Sequence, residues 1–153
     1  MKMFSFLKNK YQRVLLYILL TLPLLGIVLY RSQWNTIESI FVIMLAIQFS
    51  HSIEEQLMNF EEKWPLMRIS GTQFWLFEIV FQISFSIIFL INNFIGKTEV
   101  MIFFIILMLA NGVWHIVWFW FFEKGKYVPG LLTATLFIIA FFIHYYSTVT
   151  YIG

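Results

Sequence analysis

Long runs of hydrophobic residues alternate along the chain with short polar segments. The runs lie near residues 14–30, 34–55, 74–92, 100–122 and 128–151. Each is close to the length of about 17 to 25 residues that an α-helix needs to cross the hydrocarbon core of a bilayer. In lipid, a helix is the simplest way to satisfy every backbone hydrogen bond. The pattern predicts an all-α fold, a polytopic bundle of about five transmembrane helices that forms a single integral membrane domain over residues 1–153.

The longest connection between two runs extends from Glu54 to Gln73 and is rich in charge. We expect an interfacial helix from about Glu54 to Lys63, followed by a turn, because Pro65 and the Ser70-Gly71 pair disfavour helix. An alternative starts this helix at Ser52, with Glu55 completing a capping box. In that case the glutamates of this segment are solvated residues at a helix start.

Composition strengthens the membrane interpretation. The chain is 61% hydrophobic and 12% charged, with a mean hydropathy of +0.83, whereas soluble domains carry about 25% charged residues. This excludes a soluble enzyme, a disordered tail and a nucleic-acid-binding module, and the lipid bilayer is the expected partner. The net charge is only +2 and there is no cysteine. Any metal must therefore be bound by histidines and carboxylates.

The distribution of Lys and Arg predicts the orientation. Eight of the ten lie beside one end of the predicted bundle, and only Arg31 and Lys97 lie beside the other. Positively charged loops stay in the cytoplasm, so we expect the N-terminus inside and the C-terminus outside. The expected location is a bacterial plasma membrane.

Under this topology, polar side chains from four helices lie at one depth, near the cytoplasmic side. They are His51, Glu54 and Glu55, then Glu78, then Asn111 and His115, and finally Tyr127. Ionisable groups inside membrane segments are costly and often mark functional sites. His144 lies near the outer end of the last helix, where we interpret it as an interfacial residue.

The residue types at this depth suit Zn²⁺ or Fe²⁺, which bind imidazole and carboxylate groups. We assign His51, Glu54 and His115 as metal ligands, with Glu55 as the alternative to Glu54. Catalytic roles are assigned to Glu55, Glu78, Asn111 and Tyr127, with Glu78 as the general base or a further ligand. Hydrogen bonding between helices is the structural alternative for Asn111 and His115.

Three sequence elements carry a family resemblance. They are His51-Ser52-Ile53-Glu54-Glu55, Asn111-Gly112-Val113-Trp114-His115 and Tyr127-Val128-Pro129-Gly130. In this order they resemble a family of small multi-helix membrane proteins named for its HxxEE motif, in which a second histidine and a Tyr-x-Pro-Gly element accompany the motif. The resemblance implies candidate residues and no reaction.

The leading hypothesis is a membrane-embedded, metal-dependent enzyme that activates water and acts on a lipid or other hydrophobic substrate. A second is a metal-free acid–base isomerase or cyclase of a sterol-like or terpenoid-like molecule. A third is a small proton- or ion-coupled transporter or accessory subunit. A conducting path would continue into the outer half of the bilayer, and a homodimer could supply that part.

Overall fold

Six α-helices form most of the part of the chain that the structure describes. A computed structural model describes residues 9–30, 34–66, 68–91 and 93–152, with side chains through residue 148. The helices are α1 Lys10–Tyr30, α2 Thr36–Leu57, α3 Phe60–Lys63, α4 Gly71–Leu90, α5 Lys97–Val117 and α6 Leu131–Ile152, and a π-helical turn, Trp118–Phe122, continues α5. Within these ranges there is no strand, and five helices are long and apolar enough to span a membrane. The predicted all-α bundle is confirmed.

Helix α2 lies at the centre of the bundle and packs against α1, α4, α5 and α6. In the most hydrophobic 18-residue stretch of α2, half of the residues are buried inside the protein, compared with 11% in the corresponding stretch of α6. Phe41 of α2 stacks on Phe89 of α4 and packs against Phe104 of α5. A helix that is surrounded by other helices can carry polar side chains without exposing them to lipid, and α2 carries the HxxEE segment.

The structure corrects the predicted helix boundaries around this segment. Helix α2 continues through Ser52 to Leu57, so the alternative helix start at Ser52 is wrong. The next helix begins at Phe60 rather than Glu54, because Asn59 takes a left-handed conformation with φ of 56°. Helix α4 begins at Gly71, directly after a capping box between Ser70 and Gln73.

One end of the bundle collects the start of α1, the end of α2 and all of α3; we call it the site end. Arg13 of α1 and Glu61 of α3 form a buried ion pair, with 2.8 Å between Nη2 and Oε1. Lys10 donates to the carbonyl of Leu57, and the Trp75 indole of α4 donates to the carbonyl of Arg13. The ion pair fixes the short α3 against α1, and the two hydrogen bonds join α1 to α2 and to α4.

Candidate metal centre

Two histidines and a glutamate meet at the site end. His51 and Glu55 are one turn apart on α2, and His115 belongs to α5. The Nε2 atoms of both histidines lie 3.3 Å from the same oxygen, Oε1 of Glu55. All three side chains are almost completely buried. We call His51, Glu55 and His115 the triad.

The spacing within the triad suits a metal ion. Ligand atoms about 2.1 Å from a tetrahedral zinc ion lie about 3.4 Å apart, close to the two 3.3 Å separations between nitrogen and oxygen. One potential ligand atom from each residue can be chosen so that all three lie within 4.8 Å of one another. Neither ring nitrogen of His115 makes a well-aligned hydrogen bond with another described residue. The triad could therefore hold a metal ion.

The hydrogen bonds around His51 assign its tautomer. Nδ1 lies 2.9 Å from the hydroxyl of Thr133, and that hydroxyl donates to Glu54 at 2.6 Å. Because Thr133 has one proton and gives it to a carboxylate, its oxygen accepts from Nδ1 of His51. Nε2 then carries a lone pair, and Nδ2 of Asn111 lies 3.0 Å from it. A histidine presents a lone pair of this kind to a metal ion.

Glu54, which we assigned as a ligand, lies outside the triad, and Glu55 takes that position. The Glu54 carboxylate accepts from the backbone and hydroxyl of Thr133 at the start of α6. Neighbouring residues of a helix point about 100° apart, so one glutamate faces α6 while the other faces His115. Glu54 acts on His51 through Thr133, as an outer carboxylate that orients a ligand.

Tyr127 also contacts Glu54 and not the triad. It is exposed in the connection between α5 and α6, and its hydroxyl donates to Oε1 of Glu54. Partial burial and the neighbouring Glu54 carboxylate raise the pKa of Tyr127 to about 12. The phenol therefore stays protonated and continues to donate at any physiological pH.

Gly130 packs directly against the triad at the start of α6. Its φ is 79°, in the left-handed region that favours glycine. A Cβ at this position would lie 2.6 Å from Cε1 of His51, 2.8 Å from Cγ of Glu55 and 2.8 Å from Cε1 of His115. The space around the triad is thus closed by a residue without a side chain.

Glu78 of α4 forms a second buried carboxylate beside the triad. Its Oε2 accepts from the hydroxyl of Ser52 and from Nε2 of Gln48, the latter at 3.0 Å. The structure therefore brings Glu78 to the same end of the bundle as the triad, as the depth argument predicts. Its carboxylate is held in place by two donors from α2.

A cavity of about 550 Å³ adjoins these residues. Its polar wall is formed by Gln48, Glu55, Glu78 and Asn111, and aromatic side chains of α3, α4 and α5 form most of the rest. Such a volume is typical of small-molecule sites, which range over about 300–1,000 Å³. Glu55 belongs both to the triad and to the cavity wall, so a molecule in the cavity would contact the candidate metal centre.

Sequence reasoning did not find the parts played by Thr133 and Gln48. Thr133 is one of several polar residues in the last hydrophobic run. In the sequence, only its position three residues after Gly130 distinguishes it as a candidate site residue. His144, in contrast, lies apart from the triad, in an apolar pocket near the other end of the bundle that also includes Thr36. This agrees with its separation from the other polar residues in the sequence.

Comparisons with known proteins identify a family but no individual relative. Neither the curated proteins nor the solved structures contain a match to the chain. A family model described as a protein of unknown function with HXXEE motif matches residues 36–145. This range covers well over half of the chain and includes the triad, Thr133 and Gly130. The chain therefore belongs to the family of proteins of unknown function with an HXXEE motif.

Proposed function

We propose that the protein is a membrane-embedded, metal-dependent enzyme that activates water to hydrolyse a hydrophobic substrate. The observation that carries the proposal is the convergence of two histidine Nε2 atoms on one oxygen of a buried glutamate. Three protein ligands with room for a fourth group are typical of catalytic zinc sites. The metal proposed is Zn²⁺ or Fe²⁺, held by His51, Glu55 and His115.

Electrostatics supports a cation at this point. The neutral tautomer assigned to His51 leaves Nε2 without a proton, so it cannot donate to the Glu55 oxygen 3.3 Å away, and two acceptor atoms at this distance repel each other. A divalent ion between them converts this repulsion into attraction on both sides. When bound, it would polarise a carbonyl oxygen and lower the pKa of a coordinated water toward about 7.

Glu78 is the proposed general base. It lines the cavity beside Glu55, and Gln48 and Ser52 hold its carboxylate. In the hydrolysis of an ester, the water oxygen forms a bond to the carbonyl carbon and the bond to the leaving oxygen breaks. Glu78 takes a proton from the water and returns it to the leaving oxygen. Asn111, on the same polar wall, is the proposed donor to the substrate carbonyl.

Metal content tests the proposal directly. The purified protein in detergent is analysed by plasma mass spectrometry beside His51→Ala, His115→Ala and Glu55→Gln. We expect about one Zn or Fe per chain in the wild type and a loss of the metal in all three variants. His144→Ala is the matched control, because this histidine lies in another pocket, and it should retain the metal.

A wild-type protein that is folded and monodisperse but contains no more metal than His51→Ala would overturn the proposal. A second assay separates binding from chemistry. Glu78→Gln should retain the metal and lose hydrolysis of a neutral lipid ester, by about 100-fold or more for a general base. Chelation should abolish the wild-type activity, and added Zn²⁺ should restore it.

A metal-free acid–base isomerase or cyclase is the second candidate. The same 3.3 Å contacts between imidazole and carboxylate favour it, because protonated histidines also lie at this distance from a glutamate. In this case Glu78 and the triad would move protons on a sterol-like or terpenoid-like molecule in the cavity. Activity that persists without metal and after chelation would favour this function over the first.

A further inference from the structure

The cavity beside the triad extends along α4. On α4 its walls extend from Gln73 to Phe81, which corresponds to about 12 Å at about 1.5 Å per residue. Trp64 and Ile69, from the segment around α3, close it at the site end, and Leu107 lines its deep part. Apart from the polar wall and Gln73, the lining is aromatic and aliphatic. This extent and a volume of about 550 Å³ fit a single hydrocarbon chain better than a two-chain lipid.

The cavity opens sideways between α4 and α5. Phe77 of α4 and Ala110 of α5 both line it and both are exposed, Phe77 to 60%. Both helices are long and apolar enough to span the bilayer, so their exposed faces meet lipid. A molecule dissolved in the membrane can enter by this route without passing through water, and a longer chain can extend back into the lipid.

The polar wall determines what the other end of the occupant carries. Glu55 and Glu78 are carboxylates, and Gln48 and Asn111 offer amide groups. No Lys or Arg is among the described residues that line the cavity. With a divalent ion bound at the triad, Glu55 and Glu78 already balance its charge, and without one they carry two negative charges. In both cases a carboxylate or phosphate headgroup would add a buried negative charge with no side-chain cation to pair with, which is costly. A neutral ester, ether or hydroxyl group can accept from the amides, and a hydroxyl group can also donate to the carboxylates.

We infer that the cavity binds a neutral, single-chain lipid, with its polar end at Glu55 and Asn111 and its chain directed between α4 and α5. The inference rests on the proposed function for the reaction, since it names the substrate class of the same site. The binding of the lipid depends on the cavity alone and not on the proposed reaction. Binding can therefore be tested without any turnover.

The experiment uses the full chain in phosphatidylcholine nanodiscs and a photoactivatable, alkyne-tagged alkylglycerol, a neutral single-chain lipid that contains no ester. After illumination, labelled peptides are identified by mass spectrometry. We expect labelling to concentrate on α4 and α5 around the cavity, above the level on the lipid-facing surface of α6. A fatty acid with the same chain and tag, which is anionic, should label these positions about tenfold less, as expected for about 1.4 kcal/mol.

Ala110→Trp fills the opening and should reduce labelling in the cavity by about tenfold, because an overpacked site excludes its occupant. Ile139→Trp is the matched control, since this exposed residue of α6 does not line the cavity, and labelling should be unchanged. Phe77→Ala, which widens the opening, gives a second test should Ala110→Trp misfold, and it should keep or increase labelling. Metal content is measured in the same samples.

Labelling spread evenly over the lipid-facing helices, or equal labelling by the fatty acid, would overturn the inference. If labelling concentrates in the cavity but the protein contains no metal, the lipid site stands and the proposed hydrolysis fails. If metal is bound but labelling is even, the metal centre stands and the substrate class is wrong. The two failures are thus distinguished within one set of samples.

Discussion

Thr133 determines which nitrogen of His51 faces the triad. Its single proton goes to Glu54 and its oxygen accepts from Nδ1, so the carboxylate, hydroxyl and imidazole form a chain that ends at the candidate metal. Partners of this kind typically account for a factor of about 10–100 in metal affinity. Thr133 would then contribute to metal binding without touching the ion.

Replacing this hydroxyl gives a first prediction. Thr133→Val should weaken zinc binding by about 10–100-fold, and Thr133→Ser should restore it, because serine keeps the donor. Zinc affinity is measured by competition with a chromogenic chelator. Thr135→Val is the control, since the Thr135 hydroxyl only bonds the carbonyl of Leu132 in its own helix. Equal affinities for Thr133→Val and the wild type would contradict the orienting role.

The glycine against the triad gives a second prediction. Gly130→Ala should abolish stoichiometric metal binding, because the new methyl group would contact all three triad residues at 2.6 to 2.8 Å. Gly125→Ala is a matched control for backbone strain. Its φ is 83°, but its Cβ would meet only Cζ of Phe119, at 4.0 Å. Both variants carry the left-handed penalty of about 1–2 kcal/mol.

Metal content and thermal stability are measured on both glycine variants. We expect a larger loss of stability for Gly130→Ala, because its methyl group also overlaps the buried triad, and a loss of metal for Gly130→Ala alone. A Gly125→Ala variant that also lost its metal would show that strain in the connections, rather than space at the triad, controls the site.

At the scale of single residues, the sequence predicted which residues lie close together but not how their side chains are oriented. Depth alone brings His51, Glu55, Glu78 and His115 to one end of the bundle, and the structure agrees. The choice between Glu54 and Glu55 depends on the rotation of α2 about its axis. That rotation is set by packing against four other helices, which a single hydrophobic pattern does not encode.

Among the helices, α3 depends most on its neighbours. It has only four residues, far fewer than a helix needs to be stable alone in water. Its position relies on the buried ion pair between Arg13 and Glu61 and on the packing of Phe60 against Phe74. Because α3 closes the site end of the cavity, this ion pair also shapes the cavity.

Breaking the ion pair gives a third prediction. Glu61→Ala should lower the free energy of unfolding by about 3 kcal/mol, because it breaks a buried ion pair. Glu62→Ala, on the exposed face of the same helix, should change it by less than about 0.5 kcal/mol. The measurement is unfolding by titration with SDS in mixed micelles. Equal effects of the two variants would show that the pair does not hold α3.

The five long helices were predictable because hydrophobicity over about 20 residues is a strong signal. The residues at which these helices end were harder to predict. Helix α2 extends to Leu57, and Glu54 and Glu55 have partners on α6 and α5. The alternative interpretation of the sequence treated the same glutamates as solvated residues at a new helix start. The contacts that form the candidate site lie at this end of α2, and the hydrophobic pattern does not show these contacts.

For the whole molecule, the orientation in the membrane remains a prediction. The site end carries most of the positive charge, which favours the cytoplasmic side. The chain has no cysteine, so a single introduced cysteine reports its own position. Lys124→Cys, in the connection between α5 and α6, should be protected from an impermeant maleimide in intact bacterial cells. Ile95→Cys, exposed to 96% between α4 and α5, should react.

Lysis should expose Lys124→Cys to the reagent and leave the reaction of Ile95→Cys unchanged. The opposite pattern would place the triad on the outer side and would exclude a cytoplasmic source for its metal. Protection of both positions in intact cells would argue against a location in the plasma membrane.

The order of the helices along the chain also sets when the triad can exist. His51 and Glu55 leave the ribosome early, whereas His115 and the glycine that closes the site come from α5 and the start of α6. Synthesis from Glu55 to Gly130 takes on the order of 4 to 15 s at about 5–20 residues per second. During that interval His51 and Glu55 lack their partner residues from α5 and the start of α6. The candidate metal centre is thus among the last parts of the protein to form, and a chain that stops before α6 lacks Thr133, which orients His51.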